Sequence, residues 1–349
     1  MIACEQVYAE MKVKTIANIS FCFGISVLVL LIFYMIKNDN NQKHDTYEDS
    51  SEIEISSAEI KYLDKQKNIS TIEATKVTKN ADTINAEDMH FKISKERGNL
   101  TIDAKSASKE ADVVLFSGDV RVIFDEKTTV SMSDAKAVLN EKKIYIDVPV
   151  TLNAKEYSVI SGKCKIDWSS NDVFFCENVK MHINDSTCIC DNALVHLSLD
   201  TSKKYNLDSA VLKKNIIANL HGYNIRATDK MTILKDRVYT TGKTTVKSNY
   251  KTDNFKLDTT DMLVDLDKNN KISKILCKNS FVFSTKDNII KGANGVLIGD
   301  KIIIKNKLQV ISKNGEITGD SGEYDLRTKK AKIFTTSGVF FQSKKWSRI

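Results

Sequence analysis

Val114-Leu115-Phe116-Ser117-Gly118-Asp119-Val120-Arg121-Val122-Ile123-Phe124 is the stretch that decides the fold. Its even positions are mostly apolar, and from Ser117 to Arg121 its odd positions are polar. A period of two marks a strand with one face toward an interior and the other toward water. Ile144, Ile146, Val148, Val150 and Leu152 keep the same parity against Tyr145, Asp147 and Thr151, and Val173–Ile183 and Leu276–Phe283 alternate in the same way. After Ile55 no stretch sustains the 3.6-residue period of a helix. Turn chemistry separates the runs: Glu96-Arg97-Gly98-Asn99, Ser169-Ser170-Asn171-Asp172, Asp267-Lys268-Asn269-Asn270 and Lys313-Asn314-Gly315. The expectation is an all-β jelly roll, sandwich or solenoid.

Between these runs one short word recurs, at Ala86–Ile93, Ser133–Asn140, Ser161–Trp168, Cys190–Leu197, Ala227–Leu234, Thr259–Leu266, Gly292–Gly299 and Gly319–Leu326. Each opens on a small or polar residue and then alternates into apolar ones. A period of about thirty residues points to a unit that cannot bury its apolar face alone and stacks on its neighbours.

Ile16 to Ile36 carries no charge. At about 1.5 Å per residue, a helix of that length spans a hydrocarbon core of about 30 Å. No Ala-x-Ala site follows it, and bulky Phe21 before Cys22 disfavours lipoprotein processing, so the run reads as an uncleaved anchor. Lys12 and Lys14 before it balance Lys37 and Lys43 after it, so flanking charge leaves the orientation open. A short inside tail is favoured because long domains translocate regardless of flanking charge. The expected organisation is a cytoplasmic tail 1–15, a transmembrane helix 16–36, a polar linker 37–54, two β bodies at 55–184 and 185–343, and a basic tail 344–349.

Of 349 residues 42% are apolar, enough for a core, and the formal charge is +7. Lys is scattered rather than clustered on one element, which argues against a nucleic-acid binder. Its pairs, such as Lys142-Lys143 and Lys203-Lys204, read as solvated turns or as contacts for an anionic ligand. Seven Cys occur without a Cys-x-x-Cys. Cys188 and Cys190 share a strand face, and a bridge from Cys164 or Cys176 to that pair stays open in an oxidising compartment.

No constellation for catalysis emerges, and no cofactor or metal is expected. Gly319-Asp320-Ser321-Gly322 matches a serine-nucleophile word, but the same slot one repeat earlier reads Gly292-Ala293-Asn294-Gly295, which lacks a nucleophile. His44, His90, His182, His196 and His221 show no metal-ligand spacing. Asp265 and Asp267 sit at a turn, where solvation is the default, and no glycine-rich phosphate loop is present.

The order of features resembles the lipopolysaccharide-export proteins of the Gram-negative envelope. Residues 16 to about 184 look like LptC, the anchored periplasmic component. The words that carry this follow the anchor: Ala58-Glu59-Ile60-Lys61-Tyr62-Leu63-Asp64, Ile72-Glu73-Ala74, Asn85-Ala86-Glu87-Asp88-Met89, Leu100-Thr101-Ile102-Asp103-Ala104-Lys105 and Leu115-Phe116-Ser117-Gly118-Asp119-Val120. Residues 185 to 343 look like an added OstA/LptA-type unit, through Ile225-Arg226-Ala227-Thr228-Asp229, Ile289–Gly295 and Ile317–Asp325. The chain departs from LptC proteins in length, since those end where this one is half done. The resemblance implies a twisted open β-jellyroll with a V-shaped groove that carries lipopolysaccharide. It also implies partners: the inner-membrane ABC transporter LptBFG on one side, and an LptA-type bridge protein or the outer-membrane LptD on the other. The implied location is the inner membrane, single-pass, with a large periplasmic domain.

Alternation selects Val120, Val122, Phe124, Ile144, Ile146, Val148, Val179, Met181, Ile183 and Val282 as groove-facing residues. The expected partner edges hold Ala58, Ile60 and Tyr62 at one end and Ile333, Phe334, Val339 and Phe341 at the other. Alternatives are a membrane-anchored β-solenoid scaffold or adhesin, and a parallel β-helix polysaccharide enzyme, for which the sequence offers no carboxylate cluster.

Overall fold

A computed structural model of the protein describes residues 53–63, 69–80, 83–95, 98–201, 204–220, 222–248, 254–268, 271–313, 315–328 and 330–334. The expected anchor 16–36, the tails and nearly all of the linker lie outside these residues, as do Val339 and Phe341. None of the described residues is helical.

The strands are β1 (Ile53–Leu63), β2 (Ile69–Asn80), β3 (Thr83–Lys95), β4 (Gly98–Glu110), β5 (Val113–Asp125), β6 (Thr128–Val138), β7 (Lys143–Ile146), β8 (Val150–Asn153) and β9 (Tyr157–Ser161). Next come β10 (Lys163–Asp167), β11 (Asp172–Ile183), β12 (Ser186–Leu199), β13 (Tyr205–Lys213), β14 (Ile216–Leu220), β15 (Tyr223–Ala227), β16 (Lys230–Leu234), β17 (Arg237–Thr241) and β18 (Thr244–Ser248). The run closes with β19 (Lys256–Thr259), β20 (Met262–Leu266), β21 (Ile272–Ser284), β22 (Asn288–Ile298), β23 (Lys301–Ser312), β24 (Gly315–Gly319), β25 (Ser321–Asp325) and β26 (Lys330–Phe334). The pairings are antiparallel and join near neighbours in sequence, as hairpin-connected strands do. The all-β expectation holds.

Two compact units divide the chain, and they interleave. The first comprises the described parts of Met1–Lys155 with Lys163–Asn171 and Leu199–Asn206. The second comprises Glu156–Gly162, Asp172–Ser198 and the described parts of Leu207–Ile349.

Within each unit the strands bend. In β21, Cys277 and Phe281 are buried while Lys278, Asn279 and Ser280 between them are exposed, and the register shifts there. The halves of β21 then pair with different strands: Ile272–Cys277 with β20, and Phe281–Ser284 with β19. In the first unit the two ends of β6 likewise pair with β7 and β8. Elsewhere the strand breaks at the bend, as at Thr241-Gly242-Lys243 between β17 and β18. Positive φ angles at Asp88, Asp119, Glu177, Asn178, Lys214, Asn215, Asn294 and Lys307 fall at these bends. Polar side chains dominate there because they tolerate this conformation and hydrogen-bond locally.

Within each unit the bends carry polar pairs. Lys105 pairs with Asp119, and Ser106 and Ser117 share a 2.8 Å hydrogen bond across β4 and β5. In the second unit Asn215 Nδ2 donates to Asp191 Oδ2 at 2.8 Å, Thr241 Oγ1 to Asp229 Oδ2 at 3.2 Å, and Asn279 Nδ2 to Asp261 Oδ2 at 2.5 Å. The recurring sequence word therefore encodes the bend itself. Its opening residue, as in Ser161, Cys190, Ala227, Thr259 and Gly292, is the last buried position before the chain turns. Small residues suit the crowded inside of a corner. A Cβ on Gly292 would lie 2.5 Å from Ile304 Cγ2 and 3.2 Å from the Phe281 ring.

Candidate ligand trough

Both halves of a bent strand turn apolar side chains inward, so each unit holds an apolar core between two arms, the candidate trough. In the first unit Val120, Val122, Phe124, Ile144 and Ile146 are 0–1% exposed. In the second, Val179 and Met181 are 0% exposed. Burying a side chain of this kind contributes about 1.5–3 kcal/mol, so the same residues that would line a trough also hold the fold.

The other three expected residues are only half-buried. Val148 is half-buried in the bend Asp147-Val148-Pro149 between β7 and β8, where Pro149 interrupts the ladder. Ile183 is half-buried at the hairpin end of β11. Val282 has the wrong parity: Phe281 and Phe283 on either side are 3% and 1% exposed, and Val282 faces outward. Both parities of β21 are apolar, from Ile275-Leu276-Cys277 to Phe281-Val282-Phe283, so alternation alone could not choose between them. The larger side chains take the interior.

Coverage thins toward β1. Ala74 and Met89 are buried, but Ile72 and Phe91, on the same parities of β2 and β3, are half-buried. Among the described strands the first rung is β1, whose backbone pairs with β2 at Ala58↔Ala74, Ile60↔Ile72 and Tyr62↔Ser70. The last is β26, which pairs with β25 from Lys330 to Phe334. Ile333 is half-buried there and Phe334 is 56% exposed. A shallow cleft of about 280 Å3 beside Phe334 is lined by Ile303, Ile304, Lys305, Ser321, Gly322 and Glu323. It lies on that terminal margin and not in the trough.

Aromatic residues unmarked in the sequence reading extend that core. Phe255 stacks on Phe283 at 4.8 Å and lies 6.1 Å from Tyr223. In the first unit Tyr205 meets Phe124 edge-on at 5.4 Å. Phe255 and Tyr205 stand at strand entries outside any alternating run, and their size was the one signal available.

The outward faces carry charge ladders. Asp103 receives His90 Nδ1 at 2.5 Å and an Arg121 guanidinium nitrogen at 3.2 Å. His196 Nδ1 meets Asp172 Oδ1 at 2.6 Å, so this histidine is a cross-strand partner on the surface. Such exposed pairs each contribute about 0–1 kcal/mol. No group of His, Cys, Asp or Glu suited to a metal ion occurs among the described residues.

Among the described residues no disulfide joins Cys164, Cys176, Cys188, Cys190 or Cys277. Burial, then the neighbouring Cys190, pushes Cys188 up to about 12. Burial raises Cys190 to about 11 and Cys277 to about 11. Cys188, Cys190 and Cys277 are packing groups, far from the thiolate a nucleophile requires. Gly319-Asp320-Ser321-Gly322 forms the bend from β24 into β25, where a Cβ on Gly322 would lie 2.5 Å from the Lys332 carbonyl oxygen. Close backbone approach accounts for that glycine without chemistry at Ser321.

No family model matches the chain, and no curated protein matches its sequence.

Proposed function

We propose that the protein is a non-enzymatic lipid carrier, a twisted open β-jellyroll whose trough passes lipopolysaccharide from the inner-membrane transporter toward the outer membrane. The observation that carries this reading is the bent strand, which sets apolar faces of two arms against each other along successive rungs. Each acyl CH₂ left in water costs about 0.8 kcal/mol. A trough lined by many equivalent apolar residues removes that cost along its length without one deep minimum, as passage requires.

In this reading the anchor at 16–36 fixes the chain to the inner membrane. The β1 edge at Ala58, Ile60 and Tyr62 docks on LptBFG. The far margin, from Ile333 and Phe334 to Val339 and Phe341, receives a strand of an LptA-type protein or LptD by backbone pairing. The test is photocrosslinking in cells, with benzophenone side chains at Val122, Ile146 and Phe283 for the lipid and at Phe334 for the protein partner. Crosslinks to lipopolysaccharide from inward positions, and none from outward Val282, are expected. Crosslinks from neither face in a folded protein refute the reading. Pro at Phe334 or Val339 should weaken the partner crosslink by removing a ladder N–H. One of the two changes should be mild, because alternate N–H groups face away from the partner.

The second reading is an anchored β scaffold or adhesin. It is favoured by the water-tight packing of Val120, Val122 and Met181, each 0% exposed.

A further inference from the structure

Phe124 and Asp125 end β5 at its margin away from the bend Ser117-Gly118-Asp119. Tyr205 begins β13 at its margin away from the bend Lys213-Lys214-Asn215. The two margins are eighty positions apart in sequence and yet touch. The Tyr205 N–H donates to Asp125 Oδ2 at 2.6 Å, and the Tyr205 ring meets Phe124 at 5.4 Å and 66°. Tyr205 is 8% exposed and Phe124 1%. Tyr205 and Asn206 belong with the first unit, although β13 from Leu207 onward belongs with the second.

The contact is built so that it can let go. Asp125 uses its other oxygen, Oδ1, to accept from the N–H groups of Lys127 and Thr128, both at 2.8 Å. That turn therefore stays formed whether or not Tyr205 is seated. On the other side Asp200 Oδ1 accepts from the Lys204 N–H at 2.9 Å, and Asp200 Oδ2 from Asn206 Nδ2 at 3.1 Å. Release of Tyr205 gives up the hydrogen bond to Asp125 Oδ2 and the ring contact with Phe124, while the bonds of Asp125 Oδ1 do not depend on it.

We propose that Tyr205 is a latch across the free margins of the first unit's trough, which must lift from Phe124 and Asp125 before an acyl chain can lie along Val122 and Phe124. The inference rests on the lipid-carrier reading for its ligand but not for its geometry. It also accounts for an apolar trough that is closed to water: the closed form is the latched one.

Full-length protein carrying Val130→Cys supplies the reporter. Val130 is 0% exposed and is the cross-strand partner of Val122. Maleimide labelling of that thiol should be slow with Tyr205 present. It should speed up at least about tenfold in Tyr205→Ala, since an aromatic contact and its seat are lost. Tyr205→Phe, which keeps the ring and the backbone donor, should label at the original rate. A matching Val246→Cys in the second unit, also 0% exposed, should stay slow throughout. An unchanged Val130→Cys rate in Tyr205→Ala overturns the latch. So does a parallel rise at both reporters, which would make Tyr205 an ordinary core residue.

Uptake of cis-parinaric acid separates latch from ligand. Faster uptake in Tyr205→Ala supports both. Equal uptake with and without Tyr205 overturns the latch and leaves the carrier reading standing. Faster thiol labelling with no uptake by either form supports the latch and refutes the carrier reading.

Discussion

Gly295→Ala tests the bent-strand packing most directly. Phe281 is 3% exposed, and its ring occupies the space a Cβ on Gly295 would take, with Cζ at 2.6 Å and Cδ1 at 2.8 Å. Gly292 flanks the same ring, and a Cβ there would lie 3.2 Å from it. Inserting a methyl into such a site costs about 1–3 kcal/mol. The loss of unfolded-state entropy on replacing Gly returns about 0.4–1 kcal/mol. The net expectation is a loss of about 1–2 kcal/mol, or a melting midpoint lower by roughly 2–8 °C for a body of this size. Gly299→Ala is the control. There φ is +52° and nothing lies within 4 Å, so only backbone strain of about 1 kcal/mol should appear. Circular dichroism melts of the full chain report both. Phe281→Leu should cost stability alone and cost less in the Gly295→Ala background, because the smaller side chain relieves the overlap. Gly295→Ala melting at or above the parent, or additive effects of the two changes, would refute the packing argument.

Phe283→Ala should destabilise by about 3–5 kcal/mol and Val282→Ala by under about 1.5 kcal/mol, which checks the corrected parity by urea titration. At pH 8 the thiols of Cys188, Cys190 and Cys277 should resist iodoacetamide in the folded chain and react in denaturant, since their thiolates need a pH near 11 to 12. Mass spectrometry showing labelling without unfolding counts against the buried-thiol assignment. The Asp325 carboxyl is held below its ordinary value by the Thr328 N–H, at 2.7 Å from Asp325 Oδ1. A depressed folded value means that its contribution is present above the unfolded carboxylate value of about 3.9 and is lost as pH falls below it. Asp325→Asn should therefore flatten the acid side of a melting-temperature profile slightly, and an unchanged slope below pH 4 would speak against that bond.

Much of the fold was legible because its strands obey a local rule. Val120, Val122 and Phe124 follow one parity within one arm, and water exclusion at every second position is what alternation encodes. The recurring word was visible too, but its meaning was not. A small residue followed by a polar pair reads as a turn, and only pairing of one strand with two partners reveals a bend. The misplacement of Val282 has a different origin, since Phe281 and Phe283 beside it are apolar too and the run does not say which parity faces inward. Tyr205 was illegible for a third reason: its partner Asp125 is distant in sequence, and nothing local to either residue announces the contact.

The bends come in two lengths, and this sets a rule for how such a chain can change over time. Between Cys277 and Phe281 three exposed residues intervene, so inward parity carries through the corner. Between Cys190 and Ala193 only Asp191 and Asn192 intervene, so parity switches. A one-residue insertion or deletion at a corner must convert one kind into the other, or else it turns the rest of that arm inside out. The hairpin ends are under no such constraint, because a loop there changes length without moving either ladder. Natural length variation in relatives of this chain should therefore gather at the margins and spare the corners.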